Sequence, residues 1–222
     1  MLKYQHKSNF QQTEGVYFMR IITISRQFGS GGRELGKRLS DELSIAYYDR
    51  EIISAVAKNS ELDEGYVERM LETGGPSSFP FSFARSFAFT DVNQQNYTKM
   101  LVAQQSFILQ LAHKGADFVI VGRSADVILH EFSPFNIFVH ADMDSRIDRC
   151  IDRAPESEEM TRREYEKRIK QIDSARARHR SFLADSPWGK MESYHLCVNT
   201  TGKEIKKLVP GLAAYTNAWF EK

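Results

Sequence analysis

Cysteine is scarce in this sequence. Of 222 residues only Cys150 and Cys197 are cysteines, and neither belongs to a C-x-x-C pair. That argues against a disulfide scaffold and fits a reducing compartment, so the expected location is the cytoplasm. Cys197, inside the apolar run YHLCVN, reads as a small core residue. No Cys/His group has zinc spacing, so no structural metal is expected. Long apolar runs are missing as well. Nothing approaches the roughly 18 consecutive apolar residues of a membrane helix. The polar start MLKYQHKSNFQQTEGVYF lacks the apolar centre of a secretory signal. An excess of one charge is also absent, since 30 Lys and Arg face 29 Asp and Glu for a net charge of +1. A general nucleic-acid binder usually shows a basic surplus, so neither nucleic acid nor membrane is an expected partner. There is no internal repeat and no heptad array.

What is present is an alternation. Apolar runs at Met19–Ser25, IAYYD, ADFVIVGR, FNIFVHA and YHLCVNT read as strands. Between them lie helical patterns. Gly32–Leu43 places Leu35, Leu39 and Leu43 on one face. REIISAVAKNS follows, then DEGYVERMLET with Asp63 as a cap, then TKMLVAQQSFILQLAHKG ending at Gly115. SADVILHEF, DMDSRIDRCIDR and TRREYEKRIKQIDSARARHRSFL come next, and a last helix, KEIKKLVPGLAAYTNAWF, is expected to break near Pro210. Strands alternating with helices predict an α/β fold with a parallel sheet covered on both faces. Residues 1–18 read as a flexible tail or an upstream start before Met19. GGPSSFPFSFARSFAFTDVNQQNY breaks the rhythm and reads as an insertion, with Phe79, Phe81, Phe83, Phe87 and Phe89 among Ser, Pro and Gly. Its rings could wall a pocket, form a subunit contact in a homo-oligomer, or make a small local core.

The first strand runs directly into RQFGSGGRELGKRL. Strand, glycine-rich loop and helix form the context of a phosphate-binding loop, G-x-x-x-x-G-K-[ST], in which backbone N–H groups and a helix N-terminus cradle phosphate. In the register that starts at the strand end, Arg26 and Gly31 take the glycine positions and Gly32 takes the lysine position. Arg33 then supplies the missing charge one residue late. A literal match, GGRELGK from Gly31 to Lys37, starts six residues past the strand and would set its lysine inside the helix. The first register makes Arg26, Gly29, Ser30, Gly31, Gly32, Arg33 and Glu34 the donor-site candidates. Arg33 offers a planar, permanently charged fork to phosphate, and Glu34 could approach Mg2+ directly or through water. Arg123 ends the strand FVIVG at the carboxyl edge, where open α/β sheets bind ligands. Asp173 and Arg176 stand three apart and share a helix face.

ISRQFGSGGRELGKRL followed by YYDREII resembles the cytidylate kinase-like family, a divergent branch related to bacterial CMP kinases. FVIVGRSADVIL, DSARARHRSFL and DSPWGKMESYHLCVNT resemble its later segments in order, so the likeness runs from about Met19 to the C-terminus. It implies a P-loop NTPase-type three-layer sandwich with a central parallel sheet. A helical acceptor-binding insertion is implied at about 60–100 and a helical lid at about 155–190, within one domain at 19–222. It further implies transfer of phosphate from ATP with Mg2+ to a nucleoside monophosphate, CMP or dCMP. Arg123 would then contact the acceptor, with Asp49 and Asp126 at its pocket. For Asp49 a helix cap is the rival role, and Asp126 serves equally as a helix-start carboxylate. Arg176 and Asp173, with Arg168 and Arg180, resemble a lid over both phosphate chains, and the rival reading is a solvated, salt-bridged helix. Arg33, Arg123, Asp173 and Arg176 are the catalytic candidates. Two features depart from ordinary CMP kinases: GSGGRE replaces their loop, and Ser124 stands where they carry aspartate. Trp188 could stack on adenine, cap the lid or fill the core, and His195 reads as a structural histidine. Two alternatives stay open, a kinase for another small acceptor and a nucleotide-binding module that has lost catalysis.

Overall fold

The computed structural model describes residues 19–73 and 87–221. Residues 1–18 and most of the Phe-rich segment lie outside the described residues. Five strands form one sheet in the order β2-β3-β1-β4-β5: β1 (Ile21–Arg26), β2 (Ala46–Tyr48), β3 (Phe118–Val121), β4 (Phe135–His140) and β5 (Leu196–Asn199). Every pairing is parallel, with Ile24 opposite both Val121 and Ile137. IITIS and FVIV are buried along their whole length, as strands covered on both faces must be.

Side chains alternate across the sheet, which divides the core in two. On one face Ile21, Phe118 and Ile120 pack with Ile52, Val56, Met100 and Ile108. Those come from α2 (Glu51–Ser60) and α4 (Phe87–His113), beside which α3 (Glu64–Thr73) packs. On the other face Ile22, Ile24, Val121 and Val139 pack with Leu35 and Leu39 of α1 (Gly32–Leu43). Val209 and Leu212 of α8 (Ile205–Phe220) complete that face. The result is the expected three-layer sandwich. The short α5 (Ala125–Ile128), α6 (Met143–Ile151) and α7 (Arg162–Ser181) stand at the carboxyl edge. A third cluster, Ile147 with Tyr165 and Ile169, joins α6 to α7.

Local chemistry sets the helix starts. Asp63 accepts from the Tyr66 amide, Asp142 accepts from the Ser145 amide, and Thr161 with Glu164 makes a reciprocal capping box. Three expectations are corrected. Helix α4 begins at Phe87, so the end of the Phe-rich segment is helical. Helix α8 runs unbroken through Pro210, because Pro210 and Lys206, whose carbonyl loses its helical donor, both lie on the exposed side. Cys197 is exposed, because β5 is an edge strand that turns Leu196 and Val198 inward and Cys197 outward.

Candidate active site

The turn after β1 is built for glycine. Gly29 has φ 76° and Gly31 φ 81°. A Cβ on Gly29 would meet the Arg146 carbonyl at 2.7 Å, and one on Gly31 would meet Cδ1 of Ile205 at 2.5 Å. Buried Ser30 donates to the Gln27 carbonyl (2.8 Å), and its own carbonyl accepts from Oγ1 of Thr200 (2.7 Å). Helix α1 then starts at Gly32 with no side-chain cap. Its first N–H groups therefore point out of the helix at the positive end of its dipole.

A cleft of about 270 Å³ opens between this turn and helices α6 and α7. Gly29, Gly31 and Gly32 form one wall, and Arg26, Arg33, Arg149, Arg153, Arg168 and Arg176 also line it. Arg149 and Arg153 were not among the candidates. The signal for them is the run SRIDRCIDR, where Arg146, Arg149 and Arg153 recur at helical spacing. Arg149 clamps the far side, donating to the carbonyls of Thr200 and Lys203. Burial, with Arg153 adding, pushes its pKa down. Arg168 pairs with Glu158 at 2.7 Å at the exposed rim.

Arg26 lies beneath the turn and is held between two glycines. A Cβ on Gly122 would collide with its Nη1, and a Cβ on Gly32 would lie 2.6 Å from its Cβ. Burial, then the neighbouring Arg176, drives its pKa well down. Buried Asp49 is the counter-charge, 4.0 Å from Arg26 and 2.5 Å from Nε of Arg33. The cap role for Asp49 is not realised, since Arg50 occupies the cap position of α2 and the Glu51 side chain accepts from the Asp49 amide. Glu34 turns into a separate open cleft with Asp49, Arg50 and Glu51, its two oxygens engaged by Arg38 (2.9 Å) and Arg153.

Helix α7 roofs the turn. One oxygen of Asp173 accepts from the Phe28 amide (2.8 Å), and the other pairs with Arg146, which itself donates to the Phe28 carbonyl (2.7 Å). Arg176 donates to the Arg26 carbonyl (3.0 Å) and stands 5.6 Å over the Phe28 ring. One turn on, Arg180 meets Asp126 of α5, each side chain 3% exposed, and also holds Ser186. Asp126 and Arg180 are thus brought to each other rather than into a cleft.

A second, smaller pocket of about 50 Å³ adjoins the turn after β3. Arg26, Arg123, Arg176, Gln104, His179 and Trp188 are among its lining. Gly122, Arg123 and Ser124 adopt φ of 76°, 58° and 50° in succession, an unusual run for two residues with side chains. Trp188 meets Phe138 edge-on at 5.4 Å. His195 is structural: its Nδ1 accepts from the Asn136 amide (2.9 Å), Phe135 and Trp219 flank it, and burial lowers its pKa.

The site suits an anion at the glycine turn. A protein-built divalent-cation cage does not fit. The described residues contain no group of three His, Cys, Asp or Glu placed to hold a metal. The nearby carboxylates of Glu34, Asp49 and Asp173 each face arginine. No described helix is long and apolar enough to cross a membrane.

Residues 21–202 match the model of the cytidylate kinase-like family. No curated protein matches the sequence. Among solved structures, an uncharacterized protein from Eubacterium ventriosum superposes with a TM-score of 0.66 at 23% identity, over 90% of this chain and 99% of that one. Shikimate kinase from Bacteroides thetaiotaomicron gives 0.54 at 14% identity, over 90% and 99%. Shikimate kinase from Acinetobacter baumannii, in complex with shikimate, gives 0.53 at 11% identity, over 92% and 96%. At these identities the likeness is one of fold.

Proposed function

The chain belongs to the cytidylate kinase-like family, and on that premise we propose that it is an ATP- and Mg2+-dependent kinase that phosphorylates a nucleoside monophosphate, CMP or dCMP. One observation carries the reading. The uncapped N-terminus of α1, walled by glycines that admit no side chain, faces a cleft ringed by arginines. Phosphoryl transfer asks a protein for positioning and positive charge more than for covalent chemistry.

In this reading the backbone from Gly29 to Glu34 receives the donor phosphates. Ser30 holds the turn in shape through Gln27 and Thr200. Arg33, Arg149 and Arg153 supply the charge that a loop lysine gives elsewhere. Arg26 fixes the floor and orders Asp49. Arg123 grips the acceptor at the end of β3, and Arg176, which lines both cavities, neutralises the transferring group. Asp173 positions Arg176 and the loop together, and the Asp126–Arg180 pair ties the lid to the acceptor side. Segment 155–190, with Arg168 at its rim, would close over both phosphates and exclude water. Mg2+ takes much of its shell from phosphate oxygens and water, and neutralises phosphate charge when bound. No described residue is assigned to it, since Glu34 is held by two arginines.

Ser124 gives a specific reason to test a second acceptor class: its hydroxyl faces His179 (3.2 Å) and carries no charge for reading a base. The test is ADP release from ATP and Mg2+ with CMP, dCMP, UMP, AMP, GMP and shikimate. Preferred turnover with CMP or dCMP is expected. Turnover with shikimate alone would move the acceptor to a hydroxy acid. No turnover with any acceptor, in protein that binds ATP, would leave the binding-module reading.

A further inference from the structure

We infer that Gln104 and His179 are the residues that read the acceptor: one accepts a hydrogen bond from, and the other donates one to, an uncharged edge whose pattern is that of cytosine. This rests on the kinase reading above and goes on to the base it selects.

Gln104 on α4 is 1% exposed and His179 on α7 is 6% exposed. Each is tied by one polar atom to the strained turn after β3. Nε2 of Gln104 donates to the Arg123 carbonyl (3.3 Å), and Nδ1 of His179 lies 3.2 Å from Oγ of Ser124. The second polar atom of each, Oε1 of Gln104 and Nε2 of His179, is buried without a hydrogen-bond partner. Both side chains line the same small pocket beside Arg26, Arg123 and Arg176. Asp49 and Asp126 also bury one unpartnered oxygen, but each of those carboxylates has an arginine on its other oxygen. Gln104 and His179 are neutral, and each has one hydrogen bond but no ion pair to offset the unmatched atom. A fold rarely retains neutral, buried polar atoms unmatched, and two in one pocket point to a ligand that matches them.

The chemistry sets which ligand. Burial, with Arg123 adding, lowers the His179 pKa to about 4, so the ring is neutral at pH 7. In the tautomer this inference requires, Nδ1 of His179 accepts from the Ser124 hydroxyl and Nε2 carries the proton. The pocket thus offers an acceptor at Gln104 and a donor at His179. Cytosine meets this with its amino group and the adjacent ring nitrogen. Uracil presents the reverse, a carbonyl oxygen and a ring N–H, and would set oxygen against oxygen and hydrogen against hydrogen. The arginines meanwhile hold the acceptor's phosphate.

The test is calorimetric binding of CMP and UMP to the full chain, for wild type, Gln104→Met, His179→Phe and His179→Gln. Losing one hydrogen bond of this kind is expected to cost about three- to tenfold in affinity. Wild type should bind CMP at least tenfold tighter than UMP. Gln104→Met and His179→Phe should each weaken CMP by about that factor, leave UMP little changed and leave ATP affinity intact, while His179→Gln, which keeps a donor, should retain most of the preference. Equal affinity of wild type for CMP and UMP overturns the inference without recourse to any variant. So does unchanged CMP affinity in both pocket variants, and there the kinase reading survives. If wild type binds neither nucleotide, the inference is overturned, and ATP-dependent turnover of shikimate in the acceptor panel then shows whether the kinase reading falls with it.

Discussion

His179 shows what burial does to a single side chain. Its pKa falls from an ordinary 6.5 to about 4, first through burial and then through the Arg123 charge. The unfolded chain therefore binds a proton that the folded chain refuses throughout that interval. Stability from this residue is complete above pH 6.5 and is lost as pH falls from 6.5 toward 4. Urea midpoints measured across that range should decline for wild type and decline less steeply for His179→Phe. A parallel decline in both proteins would show that His179 is not held neutral. His195, whose pKa burial also lowers, adds to the same slope and remains in the variant. Gln104 carried no sequence signal at all, as one glutamine of a long helix. Arg123 did, because it follows an unmistakable buried strand.

At the scale of elements, the phosphate turn is held less by its own sequence than by α7. Asp173 binds the Phe28 amide and Arg146 together, and Arg146 returns to the Phe28 carbonyl. Asp173 and Arg146 thus join α7 to the turn at Phe28. Asp173→Ala would strand a 5%-exposed guanidinium and a backbone N–H. The expected loss in urea unfolding is about 3 kcal/mol, since removing one partner of a buried pair leaves the other uncompensated. A loss under about 1 kcal/mol, the level of an exposed pair, would place this ion pair outside the frame of the loop. The spacing of Asp173 and Arg176 in the sequence put them on a shared face. It could not say that the aspartate serves the turn while Arg176 reaches the Arg26 carbonyl. The same spacing logic applied to α6 would have found Arg149 and Arg153, but without the fold nothing distinguished that helix from a solvated one.

For the whole molecule, the glycine-and-arginine cleft predicts linkage. A ligand that binds only the folded state adds about 2.7 kcal/mol at a concentration one hundred times its Kd. ATP should therefore raise the thermal midpoint in a concentration-dependent way, with high salt weakening the effect because guanidinium–phosphate attraction is screened. An ATP response indifferent to salt would count against a cleft that works through charge. The family match over residues 21–202 covers the sheet, the turn and α7, and these are the parts such linkage would couple.

The sequence by itself determined the layer architecture. Fully apolar strands must be buried on both faces, and their alternation with helices leaves little choice but a parallel sheet. It also determined the glycine turn and its place at a strand end, because glycine takes such backbone angles at least cost and leaves room where a Cβ would clash. Only the tertiary structure decided how the charges divide. Arg33 faces Asp49, Glu34 is taken by Arg38 and Arg153, and Asp126 is spent on Arg180. Such pairings join residues far apart in the chain, and electrostatic partners follow distance in space. Cys197 turned outward and Pro210 was absorbed for the same reason: position at a sheet edge and on a helix's exposed side are properties of the assembled fold.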